Sequence, residues 1–289
     1  MKLLSKVRIV TDSTADIPEE IRKELGIICV PLKILFGEET FLDGVTMTQD
    51  TFYDRLVTSS VIPTTSQPSP QEFLDVYQQL ADENPEGSII SIHLASVLSG
   101  TYQSALIAKS MMEDQVPIAV VDSKSASYGI GELVVEAAKA AKAGKTEAEI
   151  LQLIEDIQSN HAIFFMVNTL EYLQKGGRIG RASALIGSLL NIKPILTIDN
   201  EGYVSSKDKA RGQKKALSRI VELLEEQFPN NTPLNIKMAH IRNPETAEQL
   251  QHMIAEKFDV KSVEHVTIGP VVGTHVGPGL VAVFAFLAK

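Results

Sequence analysis

Four stretches of the sequence concentrate groups able to hold an anion. PTTSQPSP, from Pro63 to Pro70, places Thr64, Thr65 and Ser66 between prolines. LASVLSGTYQ, from Leu94 to Gln103, carries Ser96, Ser99 and Thr101 around Gly100 where a helix is predicted to begin. Amides at a helix N-terminus, helped by the helix dipole, form a ready anion site. KGGRIGR, from Lys175 to Arg181, gathers cations, Arg178 among them, around adjacent glycines that let the backbone approach a ligand or another element closely. GPVVGTHVGPG, from Gly269 to Gly279, is nearly apolar and rich in bends, yet it carries one imidazole, His275. Each stretch has an ordinary explanation alone. Turn hydroxyls commonly satisfy their own backbone, a serine before a helix commonly caps it, and a basic turn is commonly solvated. Taken together, neutral donors on loops with one histidine and one arginine suit recognition of a single anion. An apolar pocket beside those donors would let a carboxylate enter with its hydrogen bonds satisfied.

The elements that must position these groups follow from periodicity. VRIVTD, IICVPLKILF, SIISI and PIAVVDS read as strands, and helical segments lie between them. Ser69-Pro70-Gln71-Glu72 and Thr146-Glu147-Ala148-Glu149 are capping boxes that open two of those helices. Strand–helix alternation predicts an α/β fold whose first domain has a doubly wound parallel sheet. Ligands in such sheets collect at the carboxyl ends of the strands, where Asp12-Ser13-Thr14, Ser96–Thr101 and Asp122-Ser123 fall. Past HAIFFMV the composition shifts. A short helix, the basic Gly turn, a second helix and a strand are expected there, then a DNEG hairpin turn, an amphipathic helix over about 211–227, the strand NIKMAH and a helix opened by Asn243-Pro244. The division is placed near residue 160, giving an N-terminal α/β domain over 1–160 and a C-terminal α/β domain over 161–289.

Composition narrows the function. With 27 Lys and Arg against 36 Asp and Glu, the net charge is -9, which makes nucleic acid a poor partner. The run KDKARGQKK, Lys207–Lys215, is read as a solvated face in a helical context or a docking surface for an acidic protein. Cys29, the one cysteine, is read as a buried, inert thiol in a reducing compartment. No apolar run is long enough for a membrane span, and a cytoplasmic protein is expected. There is no GxxxxGK[ST], no GxGxxG at a first strand–helix turn, no HExxH and no GxSxG. No cofactor or metal is therefore expected.

In order and spacing, TDSTADIP, TSQPSP, LSGTYQSA, VDSKSAS, LEYLQKGGRIGRASALIGSLLNIKPIL and GPVVGTHVGPG resemble the DegV family of bacterial fatty-acid-binding proteins over nearly the whole chain. The resemblance implies one long-chain fatty acid held in a tunnel between the domains. By the same resemblance, its carboxylate is bound by Thr65, with Thr64 in the same turn, by Ser96 or Ser99, and by His275, with Arg178 at the tunnel mouth. It further implies a partner, a separate ATP-dependent fatty acid kinase that converts the bound acid to an acyl phosphate for phospholipid synthesis. The chain is then a non-catalytic lipid-binding subunit with at most peripheral membrane contact. On this view the glycine- and proline-rich segment is a tight bend at the head group, with Val271, Val272 and Val276 next to apolar space. The rival reading is a stand-alone small-molecule kinase or phosphatase, in which Asp12, Asp122 and Arg178 hold a metal and phosphate.

Overall fold

The computed structural model describes residues 6–112, 115–187, 192–229 and 231–288. The chain divides into two compact units. One comprises residues 1–159 with Gly269–Val271, the other Asn160–Ile268 with 272–289.

The first unit contains β1 (Val7–Asp12), α1 (Glu19–Leu25), β2 (Ile28–Val30), β3 (Lys33–Phe36), β4 (Glu39–Leu42), α2 (Gln49–Thr58), β5 (Thr64–Ser66) and α3 (Pro70–Glu83). It continues with β6 (Ser88–His93), α4 (Thr101–Met111), β7 (Ile118–Asp122), α5 (Tyr128–Lys142) and α6 (Glu147–Ser159). Its main sheet has the order β2-β1-β6-β7 with every pair parallel. Alternate residues of β1 and β6 enter two separate cores, as the period-2 pleat requires. Val7, Ile9, Ile90 and Ile92 pack with Ile130 and Val134 of α5, while Val10 and Ile89 pack with Phe73 of α3 and Ala105 of α4. The sheet is thus covered on both faces, as the alternation predicts. Both capping boxes form: Ser69 and Glu72 exchange bonds ahead of α3, and Thr146 does so with Glu149 ahead of α6.

Two local expectations are corrected here. IICVPLKILF is not one strand. Pro31 cannot donate to a ladder, so β2 ends at Val30, and the chain restarts as β3 in a second, antiparallel sheet of order β4-β3-β5. The threonine turn is itself a strand, β5, pairing Thr65 with Ile34 and Thr64 with Leu35. Its two threonines are β-branched, which favours extended backbone.

The second unit contains β8 (His161–Met166), α7 (Glu171–Lys175), β9 (Ile192–Ile198), β10 (Val204–Arg211), α8 (Gln213–Gln227), β11 (Pro233–His240), α9 (Pro244–Ala255), β12 (Asp259–Val266), α10 (Pro270–Val276, whose first two residues fall in the other unit) and β13 (Val281–Leu287). Its sheet has the order β10-β9-β8-β13-β11-β12, antiparallel except for β11 with β12. Leu217, Ile220 and Leu224 of α8 join Leu250 and Ile254 of α9 over Phe164, Ile236, Met238 and Val283 of the sheet. The DNEG turn forms as expected, with the Asp199 carboxylate accepting the Glu201 and Tyr203 amides.

Three further expectations change. The helix after the basic turn is a short 3-10 segment, Gly180–Leu185, and residues 188–191 of the same expectation lie outside the described residues. Lys207, Lys209 and Arg211 belong to the edge strand β10, because Gly212 (φ 83°) delays α8 until Gln213. The segment around His275 is not an open bend but the helix α10. Pro270 supplies a pre-set φ at its first position, and Gly277 (φ 72°) closes it. Among the described residues no helix is long and apolar enough to cross a membrane.

Candidate functional site

In the first unit the two hydroxyl segments meet. Strand β5 carries Thr64, exposed, and Thr65, half-buried, into Gln67 and the cap of α3. The Gln67 side chain covers Gly100, where an added Cβ would lie 2.9 Å from Gln67 Nε2. Gly100 is the residue just before α4, and beside it Ser99 Oγ lies 2.9 Å from Thr101 Oγ1 and accepts the Thr101 amide at 3.3 Å. The Ser96 amide donates to Asp122 Oδ1 at 3.2 Å, which leaves the Ser96 side chain exposed at the end of β6. Thus the segment carrying Thr65 touches the one carrying Ser99 through Gln67 and Gly100, at the start of α4.

In the second unit the basic turn and the histidine meet. Arg178 Nη1 donates to the Gly176 carbonyl at 2.7 Å, and Gly176 sits directly against the His275 ring. A Cβ on Gly176 would fall inside contact distance of His275 Nδ1 and 3.1 Å from Cε1. Tyr172 packs with the same economy over Gly277, the residue that ends α10. Burial, with the Arg178 guanidinium adding to it, pushes the His275 imidazole down to about 4. At neutral pH the ring is therefore uncharged and can donate from one nitrogen and accept at the other. Arg181 is occupied elsewhere, by Asp199 at 2.7 Å and Glu201 at 2.5 Å and over the Tyr203 ring. Arg178, not Arg181, is the cation beside the imidazole.

The first unit also holds a buried chain that sequence reasoning missed. Tyr77 OH donates to Ser91 Oγ at 2.8 Å, Ser91 Oγ lies 2.7 Å from His93 Nε2, and His93 Nδ1 lies 3.0 Å from Asp12 Oδ2. The order Ser–His–Asp is that of a hydrolytic triad, but all four residues are fully buried. Tyr77 also occupies the serine oxygen, so no substrate reaches it. Its work is to tie α3, β6 and β1 together. The one trace in the sequence is a polar i, i+2 pair, Ser91 and His93, among the isoleucines of β6.

Two more carboxylates lie nearby in this unit. Asp16 accepts Ser127 Oγ at 2.6 Å and the Gly269 amide, and burial pushes its carboxyl well above the usual range against those bonds. Burial raises Asp43 to about 7, and its Oδ2 has no hydrogen-bond partner among the described residues. Cys29 is half-buried and not buried as expected, yet desolvation raises its thiol to about 12, which leaves it unreactive at neutral pH. The rival metal reading loses its ligands: Asp12 is committed to the buried chain, and Asp122 accepts the Ser96 and Lys124 amides. Among the described residues no cluster of three His, Cys, Asp or Glu is arranged to hold a metal ion.

Comparison with known proteins places these features in a family context. The family model described as "Uncharacterised protein, DegV family" matches residues 6–288. A DegV domain-containing protein of Halalkalibacterium halodurans is 37% identical over 286 residues, covering 99% of this chain and all of its own. A DegV family protein of Thermus thermophilus, solved for its fatty acid binding, superposes with a TM-score of 0.91 at 32% identity, covering 98% of this chain and 99% of its own. DegV of Bacillus subtilis, solved as a fatty acid binding protein, gives 0.85 at 35% identity with the same coverage.

Proposed function

Because the chain belongs to the DegV family, we propose that it binds one long-chain fatty acid and presents the carboxylate to a separate ATP-dependent kinase. The observation that carries this reading is the near-complete superposition on a relative solved for fatty acid binding, with a TM-score of 0.91. The local geometry supports the same chemistry. Thr65, Ser99 and the α4 amides in one unit, and neutral His275 beside Arg178 in the other, are donors suited to a carboxylate. Thr64 and Ser96 are exposed neighbours of those groups and belong to the proposal in a secondary role.

The energetics are sufficient. Burying roughly fifteen methylenes at ~0.8 kcal/mol each sets an upper bound of about 12 kcal/mol. Association costs reduce this, but a retained ligand is still expected. The tail then supplies most of the affinity, and the polar groups fix which end is presented. In the proposed transfer a carboxylate oxygen attacks the terminal phosphorus of ATP, the bond to the leaving ADP breaks, and an acyl phosphate forms. Arg178 would balance the charge that develops there. The nucleotide and the metal chemistry belong to the kinase, so this chain acts as the acyl-binding subunit.

Native mass spectrometry of the purified protein, repeated after organic extraction, tests the reading. A stoichiometric long-chain fatty acid released only on denaturation is expected. A protein that is empty and also fails to take up added palmitate or oleate overturns it, and ATP turnover by the isolated chain would favour the stand-alone enzyme.

A further inference from the structure

At one end of the second unit's sheet, β8 runs out into Val167-Asn168-Thr169, β9 begins at Ile192-Lys193, and β10 ends at Arg211. These segments line a cavity of about 480 Å³. An inner recess of about 10 Å³, close to the size of one water, continues from Asn168 and Lys193 to Gln213, Asn243 and Thr246. Among the described residues no acidic side chain lines either space.

The walls are already ordered. Gln213 Nε2 donates to Thr246 Oγ1 at 2.8 Å, Thr246 Oγ1 donates to Asn243 Oδ1 at 2.6 Å, and Asn243 Nδ2 donates to the Gly279 carbonyl at 3.2 Å. The Asn168 amide packs on Gly279 so closely that a Cβ there would force the Asn168 side chain to shift. This relay joins the first turn of α8, of 15 residues, to the first turn of α9, of 12 residues. Among the described residues neither helix has a side-chain cap on its opening amides; the start of α8, at Gly212, borders the cavity itself, and the start of α9 borders only the inner recess.

Two cations complete the site. Lys193 and Arg211 both line the cavity, and among the described residues neither has a carboxylate partner. The unit's other cations are frequently paired: Arg181 with Asp199, Arg219 with Asp208 and Lys237 with Glu264. In a chain of net charge -9, leaving two cations unpaired at one cavity keeps a positive potential that a nearby carboxylate would have cancelled. The guanidinium fork matches tetrahedral oxyanions, and the ammonium adds a point charge.

We infer that this cavity is a binding pocket for a phosphate-class dianion, held by Lys193 and Arg211 beside Gly212, the residue that opens α8. It uses none of the residues assigned to the fatty acid and does not depend on that assignment. The cavity is roomier than a phosphate ion, so the anion is free phosphate or the phosphoryl end of a larger ester.

Isothermal titration of the full chain at low ionic strength tests this, with inorganic phosphate and with ADP as separate probes. One saturable site is expected, weakened about tenfold by Lys193→Gln and by Arg211→Gln, the scale of one lost charge-assisted contact. Lys207→Gln, a charge change on the same edge strand but away from the cavity, should leave affinity within about twofold. Tighter binding of ADP than of phosphate assigns the pocket to an ester, and equal or weaker binding assigns it to the free ion. No saturable binding of either probe, or equal weakening by all three substitutions, overturns the inference. Should Lys193→Gln melt early, Arg211→Gln decides, because its side chain is exposed at a strand end. Fatty acid content, measured by extraction of the same samples, reports separately on the carrier reading.

Discussion

Gly176 and Gly177 are adjacent and chemically identical, but replacing each by alanine should do different things. Gly176 has φ -73° and ψ -9°, backbone that alanine adopts readily, so conformation does not explain it. Its reason is space: a Cβ would overlap His275 Nδ1 and sit 3.0 Å from the Tyr172 carbonyl. The carbonyl is backbone within α7 and cannot yield, so the imidazole must move by about 1 Å to restore ordinary contact. Such overpacking costs about 1–3 kcal/mol. If His275 holds the carboxylate as proposed, displacing the ring also removes a hydrogen bond of about 1–1.5 kcal/mol, or roughly tenfold in affinity. At Gly177 the reverse holds: φ is 70°, and nothing lies within 4 Å of an added Cβ. Gly177→Ala should cost about 1–2 kcal/mol of stability through left-handed strain and leave binding unchanged. Denaturant unfolding paired with displacement of a fluorescent fatty acid reads both quantities. If Gly176→Ala keeps wild-type affinity, or if Gly177→Ala loses as much, the close approach of Gly176 to His275 has no role in holding the ligand.

Three other outcomes follow from the same geometry. Asp43, raised to about 7 from an unfolded value near ~3.9, keeps in the folded state a proton that the unfolded chain releases, so its stabilising effect is complete below about pH 4 and is lost as pH rises through about 7. Asp43→Asn should therefore be more stable than wild type at pH 8 and similar to it at pH 4; identical curves at both would show that Asp43 stays ionised without cost. His275 runs the opposite way: depressed to about 4 from an ordinary 6.5, it lets the unfolded chain take up the proton first, so stability falls as pH drops from about 6.5 to 4. His275→Gln should flatten that part of the curve, and an unaltered slope would assign it to other groups. Thr65→Val keeps the β-branched shape that pairs with Ile34 but removes the hydroxyl, so fatty acid affinity should fall about tenfold with little change in melting; unchanged affinity in a lipid titration would remove Thr65 from the head group.

What could be read beforehand was what depends on neighbours along the chain. The helices α3 and α6 announce themselves through Ser69 and Glu72 and through Thr146 and Glu149, because a capping box spans only four residues. The parallel sheet was legible because β1, β6 and β7 are apolar runs separated by helical periods. Strand β5 was not, since Thr64–Ser66 is extended only by pairing with Lys33–Leu35, some thirty residues earlier. Nor was α10, where four glycines and two prolines between Gly269 and Gly279 disguise about two helical turns. The hydroxyl segments and the Arg178–His275 pair were visible as residue types, but Gln67 over Gly100 and Gly176 against His275 are contacts made by folding. The chain from Tyr77 to Asp12 was the least visible, because Asp12 and His93 stand 81 positions apart.

One detail of the first unit bears on the order in which the protein is made. Its last piece, Gly269–Val271, is separated from the rest by residues 160–268, yet the Gly269 amide is one of the donors to Asp16. At about 5–20 residues per second, a ribosome needs on the order of 5–20 s to reach Gly269 after finishing α6. Throughout that interval the nascent unit has its four-stranded sheet complete in sequence but lacks the amide that Asp16 will accept. Translation alone thus separates assembly of the parallel sheet from the closing of Asp16, and a message cut short before codon 269 would yield a first unit with all its strands and one buried carboxylate still waiting.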